Sequence, residues 1–373
     1  MLYTFSTIYA YSKMDIESYL QDKQANLEKS GQRITDYRVF DFNYIPSKPL
    51  MRTEVKPVID ALLRYQQSGI ANNVLILGAK GSGKSLLAKY LMQLLARQLS
   101  FVYANCRQYN TSYKILACLL NCAPRGCGLD ELWARFNQRH KHKTVVILDE
   151  ANLLSEKDRH KDMLYLLSRS TNNHMAILLS NNPKFANTLD QSVMSTLQPE
   201  IIHFSSYDAM EIGQILTDRA RAGLKLIPPG IIDEIAAMTV KNTNSDVRVA
   251  IKTLYLWAIE PEVPLKEHFE KARRDITFEV VKNLNDKNLL ILKAAICRKD
   301  GFVKEIYESY RHISAQFDEE PFSYVHFYSN LSYLQSLGLI LLISTKVDRT
   351  YTNRIQLTFD PGILETIWKM RFE

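Results

Sequence analysis

Residues 75–85 read LILGAKGSGKS, and within them Gly78, Gly83, Lys84 and Ser85 stand at the spacing G-x-x-x-x-G-K-[ST]. Glycines at those points let a loop fold back on itself, so that successive backbone N–H groups converge on one anion. Gly78, Ala79, Lys80, Gly81, Ser82 and Gly83 would line the cradle, followed by Lys84, Ser85 and Leu86 at the start of a helix. Lys84 would reach the β- and γ-phosphates of a nucleotide, and the Ser85 hydroxyl would hold Mg²⁺. The chemistry is that of ATP or ADP binding with a magnesium ion.

Hydrolysis needs carboxylates as well, and residues 144–154, TVVILDEANLL, supply them. Residues 144–148 are β-branched and apolar, as in a central parallel strand. Asp149 then stands at the strand's C-terminal end, where open α/β sheets bind their ligands. It is placed to order the Mg²⁺ shell, with Glu150 polarising the attacking water. A third strand, residues 175–183 (MAILLSNNP), ends in amides. There Asn181 could bond the attacking water or the γ-phosphate, although Ser-Asn-Asn-Pro is equally an ordinary turn.

These groups need a sheet and helices to hold them. The order of strands and helices from residue 38 to 206 predicts an α/β base with a parallel sheet, residues 99–106 and 200–206 adding a fourth and a fifth strand. Residues 1–37 read as an N-terminal tail. Residues 207–278 give three helical patterns and a proline-containing linker with a helix, a small helical lid. Residues 279–373 give three amphipathic helices and a hairpin around KVDRTYT, a winged helix whose third helix would enter a DNA major groove. Such modules also dock proteins.

Composition is that of a globular protein, with 46% hydrophobic and 23% charged residues. The apolar runs are too short to cross a bilayer, and the N-terminus lacks the basic region of a secretory signal. Five cysteines form no C-x-x-C pair, so they read as reduced, buried thiols and not as a metal cluster. A net charge of +7 leans towards an anionic partner.

Almost end to end, the chain resembles the archaeal AAA+ replication initiators, single-chain relatives of eukaryotic origin recognition complex subunits and of the Cdc-type helicase loader. YIPSKPLMRTE (44–54) is similar to the segment that wraps the adenine, which implies nucleotide contacts for Tyr44 and Ile45. LYLLSRSTNNHMAILLSNNPKF resembles the sensor-one strand and assigns that role to Asn181. SSYDAMEIGQILTDRA resembles the start of the lid and brings in Tyr207, and SDVRVAIKTLYLWA resembles the sensor-two helix, placing Arg248 over the γ-phosphate. LQSLGLI before a hairpin resembles the end of the recognition helix.

The resemblance implies an α/β P-loop AAA+ base, a helical lid and a C-terminal winged helix that together bind duplex DNA at a replication origin. ATP, ADP and Mg²⁺ are the implied cofactors. The implied partners are origin DNA, other initiator subunits and the replicative helicase, in the cytoplasm at the nucleoid of an archaeal cell. Expected DNA contacts are Arg107 and Arg125 from an insertion in the base, Tyr324 and His326 from the recognition helix, and Lys346, Arg349 and Arg354 from the wing. The chain departs from the family pattern in three places. Residues 190–200 carry no arginine to serve a neighbour's ATP, which implies slow hydrolysis. Val325 and His326 stand where relatives carry arginines, and the wing lacks the glycines common in relatives.

Overall fold

Five runs of aliphatic and β-branched residues pair into one parallel sheet in the order β2-β3-β4-β1-β5. The computed structural model describes residues 16, 17, 20, 21, 24, 33–123, 126–155, 158, 162–170, 172–298, 301–347 and 350–373. After α1 (Val55–Ser68) come β1 (Val74–Gly78), α2 (Lys84–Leu94), β2 (Ser100–Asn105), α3 (Ser112–Leu120) and α4 (Leu129–Arg139). The base continues with β3 (Thr144–Asp149), α5 (Asp162–Ser168), β4 (Met175–Ser180), α6 (Gln191–Leu197) and β5 (Glu200–Phe204). β3 and β4 are buried throughout, as strands covered on both faces must be. Alternate residues of β1 serve opposite cores: Leu75 and Leu77 pack with α3–α6, and Val74 and Ile76 with α1 and α2. The register Ile76↔Ile202 and Leu75↔Leu178 leaves β1 between β4 and β5, with its C-terminal loop flanked by both of their ends.

The lid consists of α7 (Ala209–Gly223), α8 (Ile231–Asn242) and α9 (Val247–Ile259). Asp208 starts α7 with a reciprocal capping box to Glu211. Asp246 caps α9 by accepting from the Arg248 N–H. Val39 and Phe40, assigned to the base, are buried in the lid core, as is Ile34, assigned to the tail. The Thr35 N–H donates to the Gly223 carbonyl, and the Lys225 N–H donates to the Arg33 carbonyl. Apolar side chains at 34, 39 and 40 cap the open side of a three-helix layer too small to bury its own core.

α10 (Leu265–Lys282) runs unbroken through residues 278 and 279, and the chain turns only after Lys282. The helix expected within a linker is a packed one that starts at Leu265. His268, Phe269, Ala272, Ile276, Val280 and Val281 form its buried stripe, and Lys252 on α9 pairs with Asp275 at 2.6 Å. Phe269, Ala272, Ile276 and Val280 belong to the same core as Val249 of the lid and the C-terminal helices.

That C-terminal unit holds α11 (Asp286–Cys297), α12 (Val303–Gln316), α13 (Tyr324–Ser336), an antiparallel hairpin of β6 (Ile340–Val347) and β7 (Thr350–Leu357), and α14 (Pro361–Phe372). The architecture is compatible with a winged helix. α14 follows the hairpin, where no helix was expected; Ile363, Leu364, Ile367 and Trp368 carry it into the core. The strands are also longer than the sequence suggested. Lys346↔Tyr351 and Thr345↔Thr352 pair in the ladder. Of the cysteines, all free, Cys106 alone is fully buried, and Cys297 is exposed. The buried-thiol reading therefore holds for one position. Among the described residues there is no metal-ligand cluster and no helix long and apolar enough to cross a membrane.

If α10 ties lid and C-terminal unit into one body, Phe269→Ala should destabilise both, by about 3–5 kcal/mol. Urea unfolding of single-tryptophan variants retaining Trp257 (lid) or Trp368 (C-terminal unit) should show the two midpoints falling together.

Candidate nucleotide-binding site

The loop after β1 is squeezed between the end of β5 and the lid. A side chain on Gly81 would put its Cβ 2.5 Å from Asp246 Oδ1, and one on Gly83 would come 2.2 Å from the Tyr207 hydroxyl. Both glycines also have positive φ, 85° and 87°. The loop therefore takes this path only with glycine at those points, and it meets the lid directly. Gly83 caps α2, whose first residue is Lys84 itself. The Lys84 amine donates to the carbonyls of Gly78 (2.8 Å) and Ala79 (2.9 Å) and to Ser82 Oγ (3.4 Å). Burial pushes its pKa down to about 8, while Asp149 and Glu150 pull the other way.

Asp149 ends β3 and is 4% exposed. Its carboxylate is held on both oxygens: the Tyr103 hydroxyl donates to Oδ2 at 2.7 Å and the Glu150 N–H to Oδ1 at 2.9 Å. Burial, then the charge of Asp149, drives the Tyr103 phenol pKa far up, so it stays a donor. Tyr103 was not foreseen. It reaches Asp149 because β2 and β3 run parallel with Asn105↔Asp149 in register, which the sequence does not specify. Glu150 follows in left-handed backbone, φ 54°, a conformation uncommon for a side-chain-bearing residue. Asn181 is 8% exposed, and its N–H donates to Asn152 Oδ1 at 3.1 Å.

One cavity is lined by Lys80, Gly81, Ser82, Gly83, Lys84, Ser85, Leu86, Asp149, Glu150, Asn181, Tyr207 and Arg248. Arg248 enters from the lid, with its Nε 2.8 Å from Asp246 Oδ1 and a second bond from its terminal nitrogen to Oδ2. Burial opposes the charge of Arg248, but Asp246 outweighs it and holds the pKa above the usual value. Asp246 is a second unforeseen member, legible only as the helix cap two residues before Arg248. Tyr207 is buried under the Arg52 guanidinium, 4.7 Å from its ring centre. Arg52 in turn pairs with Glu54 (3.2 Å) and Glu211 (2.9 Å). Burial raises the Tyr207 pKa to about 12.

Tyr44 and Ile45 do not line the cavity; Phe42, Pro46 and Leu50 do. The Tyr44 ring instead lies 5.3 Å from the guanidinium of Arg219, which also donates to the carbonyls of Val39 and Asp41. A buried guanidinium needs those partners more than the cavity needs a phenol. Gly78 and Ala79 contribute carbonyls to Lys84 and not surface to the cavity.

Arg107 is exposed and makes two contacts within the chain. Its Nε lies 3.7 Å from Glu150 Oε2, and a terminal nitrogen donates at 3.0 Å to the Asn283 carbonyl, at the break between α10 and α11. These contacts link the nucleotide cavity to the end of α10 and leave the guanidinium partly exposed. Tyr324 (40% exposed) and the exposed His326 stand together at the start of α13, and exposed Arg354 on β7 lies 6.0 Å from the Phe302 ring. Lys346 takes part in the β6–β7 ladder through its backbone. Arg125 and Arg349 lie outside the described residues.

The donors suit magnesium: a hydroxyl at the helix start and a carboxylate fixed by its own hydrogen bonds are hard oxygen ligands, and Mg²⁺ favours few of them with water and phosphate completing the shell. The depressed pKa of Lys84 gives nucleotide affinity a pH dependence. Below pH 8 the amine is a cation and attracts phosphate; above it, binding must first restore the proton. ATP affinity should therefore fall by up to about tenfold per pH unit above pH 8, with proton uptake on binding. Titration calorimetry in buffers of different ionisation enthalpy measures both.

Residues 69–189 match the family model described as an AAA domain. ORC1-type DNA replication protein 1 of Sulfurisphaera tokodaii is 28% identical over 333 residues, 80% of this chain and 83% of that protein. The ORC1-type DNA replication protein of Pyrococcus abyssi is 25% identical, with 94% of each chain covered. Among solved structures, the Aeropyrum pernix ORC1 protein in complex with DNA superposes with a TM-score of 0.65 at 22% identity, covering 91% of this chain and 97% of that one. The Aeropyrum pernix ORC2 protein in its ADPNP–ADP complexes gives 0.57 at 22% identity, covering 91% and 99%. The solved structures share the fold: a parallel-sheet P-loop base with a lid and a C-terminal helical unit. The chain therefore carries an AAA domain and is similar, over most of its own length and theirs, to the archaeal ORC1-type DNA replication proteins.

Proposed function

We propose that the protein is an ATP-dependent initiator of DNA replication that binds duplex origin DNA and helps load the replicative helicase, with slow hydrolysis of ATP to ADP and phosphate. The observation that carries the reading is one cavity shared by Lys84, Asp149, Glu150 and Asn181 of the base and Arg248 of the lid. Lys84 and Arg248 neutralise phosphate charge from opposite sides. Glu150 accepts the proton of the attacking water, and Asn181 orients that water by a hydrogen bond. Ser85 and Asp149 would hold Mg²⁺, which when bound supplies positive charge to the phosphates. Phe42, Pro46, Leu50 and Ile251 offer apolar wall for an adenine.

For DNA, α13 would present its N-terminal end, where Tyr324, Val325 (75% exposed) and His326 are open, with Arg354 and the wing against the backbone. Lys346, Arg349 and Arg125 remain proposed phosphate contacts, and other initiator subunits and the helicase remain proposed partners. The lack of arginine in α6 supports a second reading, a regulator of DNA binding that keeps nucleotide as a structural ligand and barely hydrolyses it.

Single-turnover hydrolysis by wild type and Glu150→Gln separates the two. The initiator reading expects ATP loss to fall by about a hundredfold or more in the variant, in line with loss of a general base. Equal rates favour the regulator. For DNA, duplex affinity should fall steeply with salt, and Arg349→Ala/Arg354→Ala should flatten the log–log slope by about two, one per phosphate contact. An unchanged slope removes the wing from the interface.

A further inference from the structure

The phosphate loop carries a second lysine, and its environment differs from that of Lys84. The Lys84 amine is tied to three acceptors within its own loop. Lys80 has no such partner: among the described residues, no carboxylate pairs with its ammonium and no acceptor bonds it. The two lysines also face different neighbours. The attraction on Lys84 is led by Asp149, deep at the sheet end. The charges around Lys80 are Arg248, Glu150, Arg107 and Asp246, on the side where lid meets loop, and Asp149 is not among them. Lys80 lines the nucleotide cavity together with Arg248 and Glu150. It also lines a second cleft, where Asp246 and Asn244 of the lid approach Lys184 of the base and Ser336 of α13.

A cation at that place is costly without an anion. Burial lowers its pKa to about 8, and Arg248 and Arg107 repel it further. The neighbouring carboxylates are spoken for: Asp246 is bonded by Arg248, and Glu150 faces Arg107. What the position lacks is a third party with negative charge at the lid end of the cavity. A nucleotide seated with its earlier phosphates over Lys84 and the start of α2 brings its last phosphate there.

Resting on the nucleotide reading of this cavity, we infer that Lys80 binds the terminal phosphate of ATP from the loop side, opposite Arg248, and so makes the site distinguish ATP from ADP. Lys84 also reaches the β-phosphate that the two nucleotides share; Lys80 grips only what ATP alone has. The pair Lys80 and Arg248 then holds the lid to the loop more firmly while the third phosphate is in place. The chain thereby supplies from within itself a cation at the terminal phosphate, where α6 offers no arginine to a neighbour.

The test is the affinity of the full-length chain for ATP, a non-hydrolysable ATP analogue and ADP, in wild type, Lys80→Ala, Lys80→Gln and Lys80→Arg. Loss of a charge-assisted bond predicts that Ala and Gln weaken ATP and the analogue by about tenfold or more while ADP stays within about twofold. Retained ADP binding also shows that the variant is folded. Arg, which keeps the charge, should recover most of the preference for ATP. Equal weakening of ATP and ADP would mean that Lys80 only shapes the loop, and no weakening of either would mean that it does not touch the phosphates; each result overturns the inference while leaving the nucleotide site standing. Wild-type protein that binds neither nucleotide overturns the nucleotide reading together with this one.

Discussion

Too much positive charge gathered around one loop is the constraint on which this molecule turns. Lys80 and Lys84 on the loop and Arg248 from the lid converge on a single cavity, and burial opposes the charge on each of the three. Asp149, Glu150 and Asp246 compensate in part, but each has its own local partner: Tyr103, Arg107 and Arg248 respectively. A polyphosphate is the ligand whose charge, length and acceptor geometry relieve that frustration. Because Arg248 belongs to the lid and the lysines to the base, the same anion that relieves it also joins two bodies.

The consequence reaches beyond the cavity because no flexible tether separates lid from C-terminal unit. α10 lies along α9 and enters the C-terminal core with an unbroken apolar stripe, so a lid moved by a phosphate moves the C-terminal helices with it. On the base side, Arg107 touches both Glu150 and the Asn283 carbonyl where α10 ends. Tyr333 of α13 feels that same pair, burial raising its pKa to about 12 with Arg107 opposing and Glu150 adding to the rise. Lys184, just past the Asn181 turn, lies 5.1 Å from the Tyr328 ring of α13. The helix proposed to read DNA thus has one end open and the other set against the nucleotide site.

How much of this the sequence discloses depends on the range of the interaction. The phosphate loop and the carboxylate strand are local patterns of residue type and spacing, so that Lys84, Ser85, Asp149 and Glu150 line one cavity was legible directly. Asn181 and Arg248 needed the order of motifs along the chain, because an amide in a turn and an arginine on a helix have ordinary surface uses. The contacts of Tyr103, Arg52 and Arg107 could not be read at all: each depends on strand register or on which helix packs where. The same holds for boundaries. Prolines at 261 and 264 suggested a linker, but they precede α10 and leave its apolar period intact. Ile34, Val39 and Phe40 looked like tail and base because their partners in the lid lie nearly two hundred residues further on.

The central claim is that nucleotide, base, lid and C-terminal unit act as one mechanical chain. Amide hydrogen exchange with and without ATP tests it most directly. The account predicts slowed exchange not only in residues 78–85 but also at the start of α9 around Asp246 and Arg248, at the Asn283 break and in the C-terminal half of α13, with none of this in Lys84→Ala. Protection confined to the phosphate loop, with α9 and α13 unchanged, would contradict it.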